Sequence, residues 1–515
     1  MKILSPKLPP YKASEQSWLV IFTFLYLGIP NLIFVLGWLH WYIAIPVSLA
    51  LLWSGWRIYL ENKEASLPWA KSEITKKALW LMVIVVTVWL LVAGSGGVFR
   101  QFGDYEKHNS IVRELTEKAW PVILGDSDVV KGETTFLCYY LGYYLPTAFL
   151  SKLTHIQYAN IYLFIWTWIG VVLTFFWIRK LAGLKKGSLL FLIFPLLAGL
   201  DVYAAVYRLV QSVVHHGFDD SFWEIVLYNG LDGMLLHNWG AAAKAQNFNY
   251  RDINRFISWM PQHAMGAWLA GAWIYWEGSF KKKNIYIGLI VVLTINISTL
   301  AAIGCVFLAL VYLFRNDFKT NFSTHNLFTA IGLGLVMLSF LLAHYPISPK
   351  GFLWEFINWR TIPFVLFFFY LIEFGIYAFL VHPFYRMKSF KTDFLMVIGI
   401  LILLPFYKLG FYNDWLIDVP FSILLIFWIL IIRFLAHARR NLRFWVFVFL
   451  LATAALTPIH MMSMSIMGSY LGAEFFPIST PEHSPWITDV EFRDVITKQY
   501  MGKTDSFFWK YLAKK

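Results

Sequence analysis

Asp104, Glu106, Lys107, His108 and Arg113 fall within one short stretch that opens Gly103-Asp104-Tyr105-Glu106-Lys107-His108-Asn109. Two carboxylates, an imidazole and two cations at this spacing suit acid/base chemistry beside a phosphate clamp. A carboxylate that is partly desolvated can have its pKa raised into a range useful for taking a proton. Lys and Arg nearby can hold a phosphate and stabilise it as it leaves. The plain alternative is a solvated loop that touches lipid headgroups.

A second group lies in 207–263. His215, His216, Asp219 and Asp220 carry ligands at i and i+4, a spacing that puts them on one helix face and suits a divalent metal. The alternative is a polar surface helix. Arg251 and Arg255 follow, and Trp259-Met-Pro261-Gln262-His263 closes the segment at the mouth of an apolar run. Gln262 and His263 can hydrogen-bond a polyhydroxylated substrate or cap a helix. Phe411-Tyr412-Asn413-Asp414-Trp415 is a short polar turn that either touches substrate or is only a turn. Glu373 stands inside an apolar run, where an acid is a functional candidate by default, or a hydrogen-bonded helix contact.

The elements that must position these residues are set by composition. Of 515 residues, 59% are hydrophobic, 19% aromatic and only 14% charged, against roughly 25% charged in soluble domains. This excludes a soluble enzyme, a disordered tail and a nucleic-acid module. The net charge of +13 does not point to nucleic acid, because the Lys and Arg sit in short gaps between apolar runs. Cys138 and Cys305 cannot make a disulfide framework. No phosphate-binding GxxxxGK[ST] loop is present, which argues against an ATP-driven pump. The N-terminal MKILSPKLPPYK is polar, and the first apolar run, 19–36, is long enough to span rather than to serve as a signal.

At about 20 residues per crossing, the apolar runs predict an all-α polytopic protein with thirteen spans. They lie near 18–37, 41–57, 78–97, 157–178, 188–206, 264–276, 285–298, 300–314, 327–345, 361–381, 393–411, 419–436 and 444–461. The run 285–314 is too long for one helix and splits at Asn296–Ser298 into a tight hairpin. The segment 136–150 is apolar enough to cross, yet only an interfacial placement keeps the basic gaps on one side. Its Tyr139, Tyr140, Tyr143 and Tyr144 suit the headgroup level, and Pro146 a bent helix. About 24 of the 43 Lys and Arg then fall in short cytoplasmic gaps, placing the N-terminus inside. The outer side owns the long loops 98–156 and 207–263, which carry interfacial helices, and a cap at 462–515 beside a transmembrane domain at 1–461. Function is expected where the chain spends residues off the membrane.

A membrane-edge Asp in the first large outer loop, two interfacial helices, then a span with a basic cytoplasmic end resembles the GT-C superfamily. These are polytopic glycosyltransferases that use polyprenyl-phosphate-linked sugars. The matching pieces are Gly103-Asp104-Tyr105, the helix from Asn109, the Tyr-rich 136–150 with Ser151-Lys152, and the span 157–178 ending at Arg179-Lys180. The resemblance covers 95–190 by motif and the rest by architecture. It departs at the front: two spans precede the one leading into the Asp loop, where simple members have one.

The resemblance implies a polyprenyl-phosphate-linked sugar donor, a glycan or lipid acceptor and no nucleic acid. It places an outer-face active site in a bacterial inner membrane. Asp104 becomes the general base or metal-assisted activator, with Glu106 beside it. Lys107, His108, Arg113, Arg251, Arg255, Gln262 and His263 become substrate-binding residues, with a divalent metal as the cofactor to test for. Two alternatives stay open: a transporter or flippase of lipid-linked glycans, and a glycan polymerase or ligase using a diphosphate carrier.

Overall fold

The computed structural model describes residues 17–65, 74–102, 104–124, 133–217, 248–346, 349–385, 391–410, 412–471, 480–490 and 497–514. The chain is mostly helical, 74%, and its strands run two or three residues each, so the all-α class holds. Apolar side chains face outward as well as inward. Ile161, Ile165 and Ile169 are exposed on the helix Ala159–Leu181, as are Trp41, Leu49, Leu52 and Trp56 on Trp41–Asn62. Such stripes at helical spacing suit lipid contact, and the protein is membrane-integral.

Among the described residues, seven helical segments are long and apolar enough to cross a bilayer, not thirteen. They are Trp18–Trp38, Trp41–Asn62, Ile156–Leu181, His325–Leu342, Ile362–Tyr385, Asp414–His437 and Leu442–Gly468. Of the other six apolar runs, all helical, five are cut short; the sixth, at 264–276, runs on as a π-helix to Lys281 but is not apolar enough along its length. The run at 78–97 gives Lys76–Val92, stopped by Gly94 and Gly96 with positive φ. That at 188–206 gives a 3-10 turn, Leu190–Leu196, around Pro195, and then the separate helix Asp201–His216. That at 393–411 stops as a helix at Leu403, before Pro405. The runs at 264–276, 285–298 and 300–314 give Pro261–Tyr275, Ile287–Ile295 and Thr299–Arg315. At 1.5 Å per residue, even a 17-residue helix reaches only about 25 Å of a hydrocarbon layer roughly 30 Å thick. The expected split at Asn296–Ser298 is where the chain turns: Ser298 caps the second helix by accepting Ala301 N–H at 3.0 Å.

Phe136–Leu150 holds no long helix. Thr135–Leu137 is a strand, and Leu145–Leu153 is a nine-residue helix, about 14 Å long and too short to cross. Its tyrosines are not at a headgroup surface: Tyr139, Tyr143 and Tyr144 are buried. β1 (Ile123–Leu124), β2 (Thr135–Leu137) and β5 (Met501–Lys503) form an antiparallel sheet in that order, with Phe136 opposite Gly502. β3 (Lys350–Phe352) pairs with β4 (Tyr407–Leu409). The C-terminal residues also bind the first helical hairpin, through Lys514 N to Trp38 O at 2.8 Å and His40 N to Leu512 O at 2.9 Å. The segments assigned to the outer side are thus tied to one another. The boundary set at 461/462 falls inside the helix Leu456–Leu471.

The centre of the molecule is the pair Pro261–Tyr275 and Phe421–His437, both lined by buried residues. Thr299–Arg315 packs against this pair at Gly304, where a Cβ would stand 2.1 Å from Val419 O. Only glycine permits that approach. The N-terminal ends of the two central helices are therefore fixed side by side at the outer-loop end.

Candidate active site

Asp104 is the first residue of Asp104–Glu117, an amphipathic helix whose Ile111, Val112 and Leu115 are buried. Acids in a first turn complement the positive end of the helix dipole. Lys107, one turn on, brings its ammonium back to Asp104 Oδ2 at 2.9 Å; the lysine side chain is 8% exposed and the aspartate 34%. Burial alone would raise the Asp104 carboxyl. The charge and hydrogen bond of Lys107, with the Arg251 charge, outweigh it and hold the carboxyl below its ordinary range. The expectation of a raised Asp104 is therefore reversed, and the reason is this ion pair. Burial likewise works against the Lys107 ammonium, but Asp104, Tyr500 and Asp418 keep it protonated, above its ordinary value.

His108 faces inward. Its Nε2 lies 2.9 Å from Trp259 O and its Nδ1 2.7 Å from Tyr144 Oη. A carbonyl only accepts, so Nε2 carries the hydrogen and Nδ1 accepts from the Tyr144 hydroxyl. Burial, then Lys107, pushes the imidazole down to about 3, so it stays neutral. It ties the Asp104 helix to Ile253–Trp259 and to the Tyr-rich segment.

Glu106 is exposed. Two residues from Asp104 on a helix, it points away from the pair. Arg113 is also turned elsewhere: it meets Glu117 at 3.3 Å and Ser484 O at 2.5 Å, with its guanidinium 4.1 Å from the centre of the Trp486 ring. It latches the 480–490 segment onto the helix, as does Glu114, which accepts Ile487 N–H at 3.2 Å.

Arg251 and Arg255 both lie over Trp259, at 5.4 and 4.7 Å. Between them Asp252 caps Ile253–Trp259 by accepting Arg255 N–H at 3.0 Å. Burial lowers the Arg251 guanidinium, while Asp418, Asp104 and Asp414 act to keep it charged. Arg255 is the more buried of the two and feels the charges of Asp201 and Asp104. Pro261 starts the first central helix, and its first turn carries Gln262 and His263. Gln262 is fully buried, and neither its amide oxygen nor its nitrogen has a protein partner among the described residues. His263 Nδ1 is 2.6 Å from Ser298 Oγ; its Nε2 is 3.1 Å from Tyr140 Oη and 3.6 Å from Asp418 Oδ2.

Asp104, Lys107, Arg251 and His263 are thus brought together, while Glu106 and Arg113 are not. Asp414, from the polar turn 411–415, and residues outside the expected set join them. Asp414 and Asp418, at i and i+4 where the second central segment begins, interact with Lys107, Arg251 and Asp104. Tyr140, Tyr144 and Tyr500 complete the wall. The i,i+4 acids at the mouth of an apolar run were a legible signal; Tyr500, four hundred residues from Asp104, carried none. Glu373 lies apart on the π-turn Leu371–Gly375, packed 2.9 Å from where a Gly199 Cβ would stand. Asp219 and Asp220 lie outside the described residues. Among the described residues no group of three or more His, Cys, Asp or Glu is arranged to hold a metal ion.

The arrangement suits a substrate with a phosphate and a group that loses a proton: cations and helix N-termini face carboxylates and phenols across one buried cluster. Comparison of the chain with protein-family models, with curated proteins and with solved structures found no match.

Proposed function

We propose that this protein is an integral-membrane glycosyltransferase. It moves a sugar from a polyprenyl-phosphate carrier to a glycan, a lipid or a lipid-linked oligosaccharide at the outer face of a bacterial inner membrane. The observation that carries the reading is the Asp104–Lys107 pair, 2.9 Å apart, set beside Arg251 at the N-terminal ends of buried helices. The reading keeps an all-α membrane architecture, with seven helical segments long and apolar enough to cross.

In this mechanism the acceptor hydroxyl attacks the anomeric carbon, and the bond from that carbon to the phosphate oxygen breaks with inversion. The phosphate leaves with the bonding electrons. Lys107, with one of its three donors on Asp104, and Arg251 hold it. The acceptor proton passes to Asp104. An ionised carboxylate with low proton affinity suits this step, because the attacking oxygen becomes strongly acidic as its new bond forms. No step is routed through a metal.

The phosphate clamp belongs to Lys107 and Arg251 rather than Arg113. Arg251→Ala is expected to raise the donor KM by about 10- to 100-fold, the loss of one charged hydrogen bond. Arg113→Ala should leave the donor KM within about twofold. Its latch on Ser484 and Trp486, worth about 0.5–1 kcal/mol as an exposed cation–π contact, should show as faster proteolysis of the 480–490 segment. Equal donor kinetics in wild type and Arg251→Ala would move the clamp elsewhere.

The direct test is transfer by the purified protein from a panel of polyprenyl-phosphate sugars, with and without EDTA. EDTA-insensitive transfer would show that no divalent metal is needed, and EDTA-sensitive transfer that one is. Glu373, a membrane-embedded acid with no protein hydrogen bond to either oxygen among the described residues, favours a transporter or flippase of lipid-linked glycans as the second reading. Movement of a lipid-linked glycan across proteoliposomes without sugar transfer would select it. Transfer only from diphosphate-linked glycans would select a polymerase or ligase.

A further inference from the structure

The sheet of β3 and β4 carries an ordered stack of aromatic rings beside the candidate site. Trp354 lies on Phe352, with ring centroids 4.6 Å apart and planes 3° from parallel. Phe352 meets Tyr407 edge to face at 5.6 Å, and Tyr407 meets Trp415 in the same way at 5.0 Å. The inner end is fixed, because Trp415 Nε1–H donates to Leu404 O at 3.0 Å. The outer end is open: Phe352 is 48% and Trp354 55% exposed. Glu355 folds back to accept the Phe352 N–H at 2.8 Å, and Gly351 leaves room for it, since a Cβ there would stand 2.6 Å from Glu355 Oε2. Gly410, which follows β4, packs so closely on Asp414 that a Cβ would stand 1.9 Å from its Oδ2. One turn beyond Asp414, Asp418 Oδ2 is 3.6 Å from His263 Nε2. The stack therefore runs from the surface to the edge of the site.

These rings do not suit the acyl chains of a bilayer. β3 and β4 form a sheet of only two strands, and a sheet with open edges does not sit in hydrocarbon, where its N–H and C=O groups find no partner. Lys350, Glu355 and Arg360 are exposed beside the rings. A rigid aromatic face rimmed by charged groups suits a sugar. The C–H groups of a pyranose form an apolar face that packs on a ring, while its hydroxyls bond the polar rim.

We propose that the Trp354–Phe352 stack is an acceptor platform, on which a glycan chain lies with its end directed past Asp414 to the Asp104 cluster. This rests on the transferase reading for its role in the reaction, and narrows the acceptor to a glycan, but the binding itself can be read without sugar transfer. Trp354→Ala removes the exposed ring, and Trp354→Phe keeps an aromatic face. The side chain is more than half exposed, so neither change opens a core.

Two measurements are made on the full-length purified protein in lipid nanodiscs, on Trp354→Ala and Trp354→Phe, and on Trp445→Ala, which removes an exposed ring from the helix Leu442–Ala454. One is backbone hydrogen exchange of 349–361 with and without short linear oligosaccharides of glucose, mannose and N-acetylglucosamine. The other is transfer to the same oligosaccharides from a polyprenyl-phosphate sugar. Oligosaccharide is expected to slow exchange in 349–361 of the wild type and Trp445→Ala, and to leave Trp354→Ala unchanged. Trp354→Ala should raise the acceptor KM about 3- to 10-fold, the loss of one stacked ring, with donor KM and melting temperature at wild-type values. Trp354→Phe should recover most of that loss. Exchange that slows on moving from detergent to nanodiscs, and that no oligosaccharide alters, would make the stack a membrane-interface belt and overturn the proposal. Sugar transfer with an unchanged acceptor KM in Trp354→Ala would overturn it and keep the transferase reading. Trp354-dependent protection by an oligosaccharide without any transfer would overturn the transferase reading and keep this one. A wild type that shows neither protection nor transfer would overturn both.

Discussion

Asp104→Asn is expected to slow sugar transfer by about 10²- to 10⁴-fold, the usual cost of losing a general base. The amide keeps the shape and can still accept a hydrogen bond from Lys107, but it cannot take the acceptor proton. Folding should survive, because the carboxylate is 34% exposed and sits at the start of its helix, where water can solvate a changed group. Glu106 offers no rescue: it is exposed and points away from the ion pair. Glu106→Gln should therefore change the rate by less than about twofold, and the double variant should match Asp104→Asn. The measurements are single-turnover transfer rate and melting temperature for the three variants. A folded Asp104→Asn protein with near wild-type transfer would end the assignment of this residue as the base. A double variant clearly slower than the single would put Glu106 back in the site.

The class of the protein and much of the site were legible in the sequence for identifiable reasons. Charge placement is a one-dimensional signal, so the short basic gaps and the long polar loops between apolar runs could be read directly, and segments assigned to one side, 98–156 and the C-terminal residues, are tied together. The turn at Asn296–Ser298 was legible because Asn296 and Ser298, two polar residues inside a run of thirty mostly apolar ones, suit a turn or a cap, and Ser298 is a cap. The thirteen equal crossings were not borne out as such. Hydropathy measures how apolar a run is, not whether Gly94, Pro195 or Pro405 stops the helix within it. The tyrosines of the 136–150 segment were misplaced because an amphipathic ring suits a headgroup layer and a buried polar site equally well. Only tertiary partners such as His108 for Tyr144 and His263 for Tyr140 decide between them. Likewise Arg113 and Lys107 look alike in sequence. What separates them is which face of one helix meets the 480–490 segment and which meets the central pair.

Lys107→Met should produce the second large effect, and it tests why Asp104 is held low. Methionine keeps most of the buried stem and removes the charge. Losing the donor that stabilises the leaving phosphate should cost about 10²- to 10³-fold in kcat, as removal of one preorganised oxyanion donor does. The pH dependence should change as well. In the wild type, burial tends to raise the Asp104 carboxyl, but Lys107 and Arg251 bring it below its ordinary value, about 3.9 for a free aspartate. A base with a depressed pKa stays ionised as pH falls, so wild-type transfer should be flat from about pH 8 to pH 5 and decline only below the ordinary carboxylate range. His108 does not interrupt this, since it is neutral throughout that interval. Without the lysine charge, burial has one opponent fewer, and the carboxyl should titrate higher. The acid limb of Lys107→Met should therefore move up, and its residual rate should fall as pH drops through the interval in which the wild type is flat. Rate–pH profiles of both proteins at saturating donor decide the matter. An acid limb unchanged in position would mean that Lys107 does not set the proton affinity of the base. Arg251 would then be the charge to remove next.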